Sequence, residues 1–273
     1  MNSYKLGIIG CGNMGEALLK GILKSGFLKC SEIVFYDKDS SRRKYIEKTY
    51  KIYPAGGSIE VSVISRYILL AVKPQNIKNV LEEIKGNFDC RSSTIISIIA
   101  GVPTGYIEKK LNLNVPVIRI MPNTPALFKK GMAAISKSRF AADEDLAFSE
   151  SLIRNIGDYV VIEEKYQNIA TALNGSGPAY FFLFCKYLIE AGVKNGLSLK
   201  TAKKLVAGTV IGSGITIKKS EVGLDDLIKM VASPGGTTEK ALEEFNKNNF
   251  KKIIYDAVES ARKRAEELQD SMD

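Results

Sequence analysis

The residues best suited to chemistry gather near the two ends of the chain. Close to the amino end stands Gly10-Cys11-Gly12-Asn13-Met14-Gly15, a G-x-G-x-x-G spacing. An apolar run, Tyr4 to Ile9, leads into it, and a helical pattern with Ala17, Leu18, Leu19, Ile22 and Leu23 follows. Strand, glycine loop and helix in that order is the context in which this spacing binds a dinucleotide. The first glycine permits the tight turn, the second lets the backbone approach the pyrophosphate, and the third lets helix and strand pack closely. Asp37 ends the next apolar run, Glu32 to Tyr36, and lies 22 residues after Gly15. An acid there bonds the ribose hydroxyls of the adenosine. Lys38, Asp39, Arg42 and Arg43 come next. Asp37 would repel a 2′-phosphate and points to NADH, whereas the basic side chains would hold one and point to NADPH. Both cofactors stay open.

Near the carboxyl end the chain reads Ala232-Ser233-Pro234-Gly235-Gly236-Thr237-Thr238-Glu239. Pro234 and the two glycines end the pattern before them, and Thr237 opens an amphipathic run with Leu242 and Phe245 on one face. A turn of small residues running into a helix start offers unpaired N–H groups at the positive end of the helix dipole. That is a seat for a carboxylate or a phosphate. An ordinary helix cap uses the same residue types, so the seat gains its force from the dinucleotide loop at the other end.

What the chain lacks narrows the chemistry. It has no histidine. Ser-His and Cys-His nucleophiles and His-ligated metal are excluded, so proton transfer falls to a hydroxyl, a carboxyl, a lysine or water. Cys11, Cys30, Cys90 and Cys185 are scattered without C-x-x-C spacing, which predicts reduced thiols in the cytoplasm and no metal. The formal charge is +9, yet the lysines are interspersed with acids and form no basic stripe, so no nucleic-acid partner is expected. A positive field favours an anionic cofactor and substrate. No secretory signal and no membrane-length apolar run is read from the sequence.

These residues must be held by a scaffold of some size. The 273 residues suggest two ordinary domains or one large one. Further apolar strands are predicted at Tyr67 to Val72, Thr94 to Ile99 and Val115 to Ile120, too uniformly apolar to be half exposed. Their tips are Ala71-Val72-Lys73-Pro74, Ala100-Gly101 and Met121 to Pro125, which includes Asn123. Ligands of open parallel sheets bind beyond such tips, so these join Gly10 to Gly15 in one expected crevice. Met132 to Ile135 and Tyr159 to Ile162, around a helix from Asp143 to Ile156, complete the sheet. From Lys165 onward only helical patterns follow, from Gln167 to Leu268, with a break at Asn174 to Pro178. The expected domains are therefore 1–164 and 165–273. The helical half carries more apolar surface than it can bury alone (Phe181, Phe182, Leu188, Val210, Ile215), which predicts a subunit interface. The charged tail from Glu259 is expected to be a solvated helix end.

With both halves read, the chain resembles the Δ1-pyrroline-5-carboxylate reductases over nearly its whole length. The resemblance rests on Ile9 to Gly15, on Ala71-Val72-Lys73-Pro74, on Arg119-Ile120-Met121-Pro122-Asn123-Thr124-Pro125-Ala126, on Gly175-Ser176-Gly177-Pro178-Ala179-Tyr180, and on Ser233 to Thr238 with Ala241 and Phe245. It implies an α/β Rossmann domain followed by an all-α dimerisation domain, in a dimer often assembled further into a decamer. It implies hydride transfer from NADPH or NADH to a cyclic imine, giving L-proline. It places the substrate carboxylate on Ser233, Gly235, Gly236, Thr237 and Thr238, with Thr238 at the ring nitrogen and Glu221 helping to order the site. Asp37-Lys38-Asp39, and Gly57 where relatives often carry an Asn, depart from the family pattern at the adenosine end. A β-hydroxyacid dehydrogenase shares the plan but needs a lysine four residues past its helix-opening glycine, where Phe181 follows Gly177 here. A non-catalytic dinucleotide sensor would need no anion seat at Ser233 to Thr238.

Overall fold

The computed structural model describes residues 3–270. The chain divides into two compact units, Met1–Ser176 with Ser260–Asp273, and Gly177–Glu259.

The first unit is built on one sheet of eight strands: β1 (Tyr4–Ile9), β2 (Ile33–Tyr36), β3 (Tyr53–Pro54), β4 (Ser65–Leu70), β5 (Thr94–Ser97), β6 (Val117–Met121), β7 (Gly131–Lys137) and β8 (Gly157–Val161). Their spatial order is β3-β2-β1-β4-β5-β6-β7-β8. The neighbours from β3 to β6 are parallel, β7 runs antiparallel to β6, and β8 is parallel to β7. Leu6, Ile8, Leu69, Ile96 and Ile118 are fully buried, as central parallel strands covered on both faces must be.

The helices of this unit are α1 (Asn13–Ser25), α2 (Ser40–Tyr50), α3 (Ser58–Ile64), α4 (Ile77–Ile84), α5 (Thr104–Leu111), α6 (Asp143–Arg154) and the short α7 (Gln167–Ala170). They cover the sheet from two sides. Leu18, Leu19 and Ile22 of α1 share one core with Phe148, Leu152 and Ile153 of α6. Ile77, Leu81 and Ile84 of α4 share the other with Tyr106, Ile107 and Leu111 of α5. Strand order reverses between β1 and β4, whose crossovers leave to opposite sides, and a crevice opens above their carboxyl ends.

Two features differ from the sequence expectation. The break expected at Asn174 to Pro178 is mostly a wide helical turn, Thr171–Gly175, closed by the Ser176 N–H donating to Thr171 O at 2.9 Å. The chain then enters α8 (Gly177–Lys194) after a single residue. The glycines there do not stop the helix, because the wider turn absorbs an extra residue. The tail expected to be solvated is also packed: Ala265 is buried, and a Cβ on Gly101 would sit 3.2 Å from Leu268 Cβ.

The second unit is helical throughout: α8, α9 (Leu199–Lys219), α10 (Leu224–Val231), α11 (Thr237–Lys247) and the start of α12 (Phe250–Asp270). Ser198 caps α9 by accepting from the Thr201 N–H at 3.2 Å. Phe184, Phe245 and Phe250 form an aromatic cluster. Within Gly177–Glu259 only Gly177 and Ala202 are buried.

Candidate active site

The glycine loop follows β1. Gly10 has φ +92, and a Cβ there would lie 2.8 Å from Ala71 O. A Cβ on Gly15 would lie 2.6 Å from Gly10 O, so α1 packs against the strand tip only because both are glycine. Gly12 is different: nothing lies within 4 Å of its missing Cβ. It caps α1 with backbone alone, leaving the first N–H groups of that helix for a ligand. A cleft of about 360 Å³ opens here, lined by Gly10, Gly12, Asp37, Lys38, Ala71, Val72 and Lys73 among others. Two close-packed glycines, an open third and an acid at the β2 tip fit a dinucleotide.

Charges around the cleft are tightly organised. Asp37 accepts the Cys11 N–H on Oδ2 at 2.7 Å and the Asp39 N–H on Oδ1 at 3.0 Å. Arg42 donates from Nε to Cys11 O at 2.5 Å and pairs through Nη2 with Glu16. Glu16 also accepts from the Tyr50 hydroxyl at 2.7 Å and the Tyr45 hydroxyl at 3.1 Å. Partial burial pushes the Glu16 carboxyl up, but the bonds from Tyr50, Arg42 and Tyr45 outweigh it and hold it below its ordinary value. The Cys11 thiol is pushed well up, by burial first and by the Asp37 charge second. It stays protonated and is no nucleophile.

The structure adds cleft residues that the sequence reading missed: Ser58, Gln75, Asn76, Asn79 and Glu83. Four of these follow the β4 tip, where α4 runs along the crevice; the cue was their place just past Lys73. Asn13, Met14, Gly15 and Pro74 lie outside the cleft lining, Met14 packing from the first turn of α1 onto the core. Ala100 and Gly101 also lie outside it. Asn123 is engaged elsewhere: its Nδ2 donates to Asn174 Oδ1 at 2.9 Å, and its Oδ1 accepts the Met132 N–H at 2.9 Å. Asn174 in turn donates to Met121 O at 2.9 Å and Met132 O at 3.0 Å. The pair ties the β6 tip to the wide turn.

The Ser233–Thr238 turn joins α10 to α11. Gly235 takes φ +72, which only glycine adopts freely. Gly236 donates its N–H to Ser233 O at 2.9 Å. The Gly235 N–H is held by Glu239 Oε2 at 2.7 Å, an acid in the first helical turn reaching back as a cap. Of the backbone donors the sequence offers, those of Gly235 and Gly236 are thus occupied within the protein. Gly236 caps α11 without a side chain, which leaves the N–H groups of Thr237 and Thr238 facing outward from the helix start. Among the described residues, no protein partner takes the hydroxyls of Ser233, Thr237 or Thr238. Glu221 sits in the exposed link between α9 and α10.

Residues 164–268 match the family described as pyrroline-5-carboxylate reductase dimerisation, and residues 5–101 match NADP oxidoreductase, coenzyme F420-dependent. The pyrroline-5-carboxylate reductase of Synechocystis is 35% identical, covering 97% of this chain and 98% of its own. That of Escherichia coli is 33% identical, covering 98% and 99%. Among solved structures, the Plasmodium falciparum pyrroline carboxylate reductase with NADP bound has 33% identity and a TM-score of 0.88, covering 98% of this chain and 99% of its own.

The chain belongs to the pyrroline-5-carboxylate reductase family.

Membership makes it an NAD(P)H-dependent oxidoreductase acting on a C=N bond, the reduction of pyrroline-5-carboxylate to L-proline. The fold expected from the sequence, a Rossmann half followed by a helical dimerisation half, is the fold observed. The chain therefore works as a homo-oligomer. Among the described residues, no helix is long and apolar enough to cross a membrane, and no cluster of Cys, Asp and Glu could hold a metal ion.

Proposed function

We propose that residues 1–164 hold the nicotinamide cofactor and that residues 165–273 hold the imine and pair the chains. Gly10, Gly12, Asp37, Lys38, Ala71, Val72 and Lys73 line the cofactor's cleft, with the α1 N-terminus facing its pyrophosphate. The free N–H groups of Thr237 and Thr238 and the hydroxyl of Ser233 bind the substrate carboxylate. Gly235 and Gly236 shape that turn, Glu239 braces it, and Glu221 orders its approach. A dihydronicotinamide bound in that cleft would supply the hydride that the C=N carbon accepts. Thr238 donates a hydrogen bond from its hydroxyl to the ring nitrogen, which receives a proton relayed from water as the C=N double bond becomes single. Holding a carboxylate at a helix start and a ring nitrogen one residue away fixes the imine carbon in space, and such positioning supplies much of the rate.

The observation that carries this reading is the turn itself: hydroxyls at positions 233, 237 and 238 without protein partners among the described residues, beside a helix whose N-cap, Gly236, has no side chain to bond its first N–H groups. Thr238→Ala lowers kcat by about 10- to 1,000-fold, the range for losing one oriented polar contact in the transition state, with a smaller change in KM. Unchanged kcat removes Thr238 from the chemistry.

Two further parts of the reading concern assembly and place. Dimers associate further, up to a decamer, and the protein works in the cytoplasm. Four cysteines without a disulfide support a reducing compartment. Light scattering on the purified protein gives the mass that decides between dimer and decamer.

A further inference from the structure

Two basic side chains that follow Asp37 in sequence are the natural candidates to clamp a 2′-phosphate, since a guanidinium fork matches its oxygens. The structure engages both elsewhere. Arg42 donates to Cys11 O at 2.5 Å, pairs with Glu16, and lies over the Tyr45 ring at 5.1 Å. Glu16 is itself fixed by the hydroxyls of Tyr50 and Tyr45. Arg43 donates to Asp37 O at 2.5 Å and lies over the Tyr36 ring at 5.4 Å. Neither guanidinium lines the cleft.

The charged groups that do line it are Asp37, Glu83, Lys38 and Lys73, equal in sign count. Lys38 Nζ is turned toward Asn76 Oδ1 at 3.4 Å. Asp37 is the group with fixed geometry, both of its oxygens held by backbone donors. Each oxygen keeps lone pairs able to accept from a ribose hydroxyl. A 2′-phosphate offers mainly negative charge there and no fork to meet it.

We infer that this chain selects NADH over NADPH, with Asp37 as the discriminating residue and Glu16 as the group that withholds Arg42 from the adenosine end. The inference deepens the cofactor assignment above, because it needs the adenosine to lie beside the β2 tip. Asp37 has a second duty, since its bond to the Cys11 N–H shapes the glycine loop. Selection and loop geometry are therefore coupled through one carboxylate.

The test is equilibrium binding by titration calorimetry, NADH against NADPH, without substrate. The wild type binds NADH tighter by about tenfold or more, the size of one like-charge contact at a partly screened site. Added salt narrows the gap by screening that repulsion. Asp37→Asn moves the affinity ratio toward NADPH by about tenfold; the ratio is the readout, so a general loss from a loosened loop does not obscure it. Arg42→Ala leaves the ratio unchanged. Equal or tighter NADPH binding by the wild type, an unmoved ratio in Asp37→Asn, or a selective loss of NADPH affinity in Arg42→Ala overturns the inference. A protein that prefers NADH in this titration but does not reduce pyrroline-5-carboxylate would sink the reaction and leave the preference standing.

Discussion

Leu6 and Ile8 on β1 are sealed from water, whereas Phe181 and Phe182 on α8 stand 63% and 65% exposed. Both regions are comparably apolar in sequence. In the dinucleotide half, strands present apolar side chains to helices on two faces, and two separate cores close. In the helical half, α8 and α9 pack closely where Gly192 meets Ala202, yet Leu205, Ile211, Ile215 and Met230 all stay exposed. Burying one such side chain is worth about 1.5–3 kcal/mol. A row of them left in water is an unfinished core, and the matching dimerisation family says what finishes it. One half is stabilised by its own chain, the other by a second copy.

The sharpest way to break this comparison is Ile211→Glu. If the side chain stayed in water, the change would be close to neutral. Set into an interface, it buries an unpaired charge and costs about 3–5 kcal/mol. The expected outcome is loss of the dimer by light scattering, melting of the helical half, and loss of activity together. A variant that keeps its mass and activity would show that this face is free.

A smaller effect is expected where the helical sequence begins. Asn174→Ala removes the side-chain donor that serves the Met121 and Met132 carbonyls, and it leaves the Asn123 amide only its longer bond to the backbone carbonyl of residue 174 at 3.3 Å. The cost is about 1–3 kcal/mol, read by urea denaturation, and it falls on the dinucleotide half although residue 174 matches the dimerisation family. If only the dimer weakened, the wide turn would belong to the other half.

The smallest effect tests the self-contained half alone. Glu16→Gln weakens the bonds to Arg42, Tyr45 and Tyr50 and destabilises by about 1–2 kcal/mol near pH 7. The folded Glu16 carboxyl lies below its ordinary value, so its stabilisation is present above about pH 4.3 and fades as pH falls through the folded value. Thermal melts of the two proteins should converge in acid. A gap that is constant with pH would mean the glutamate contributes by packing rather than by charge.

Much of this architecture is readable from local pattern. β1, the Gly10–Gly15 loop and α1 follow from an apolar run, a spacing and a helical stripe, because each is decided by neighbours in sequence. The Ser233–Thr238 turn is readable for the same reason. α2 was harder: it is polar almost throughout and buries only Ile46, so periodicity is silent. Its start was nevertheless marked by Asp39, which accepts from the Ser41 and Arg42 N–H groups. The Glu16–Arg42–Tyr45–Tyr50 cluster was out of reach, since its members meet only once β2 is laid beside β1. The antiparallel turn of β7 was equally out of reach, because a buried strand reads alike in both directions. Glu239 bracing Gly235 was within reach, as an acid at the third helical position commonly reaches back.

The outward apolar faces of α8 and α9 have a consequence for inheritance. A copy with a ruined glycine loop keeps those faces and still finds a partner. Two versions made in one cell therefore meet as mixed pairs, and the damaged copy reaches its intact sister physically.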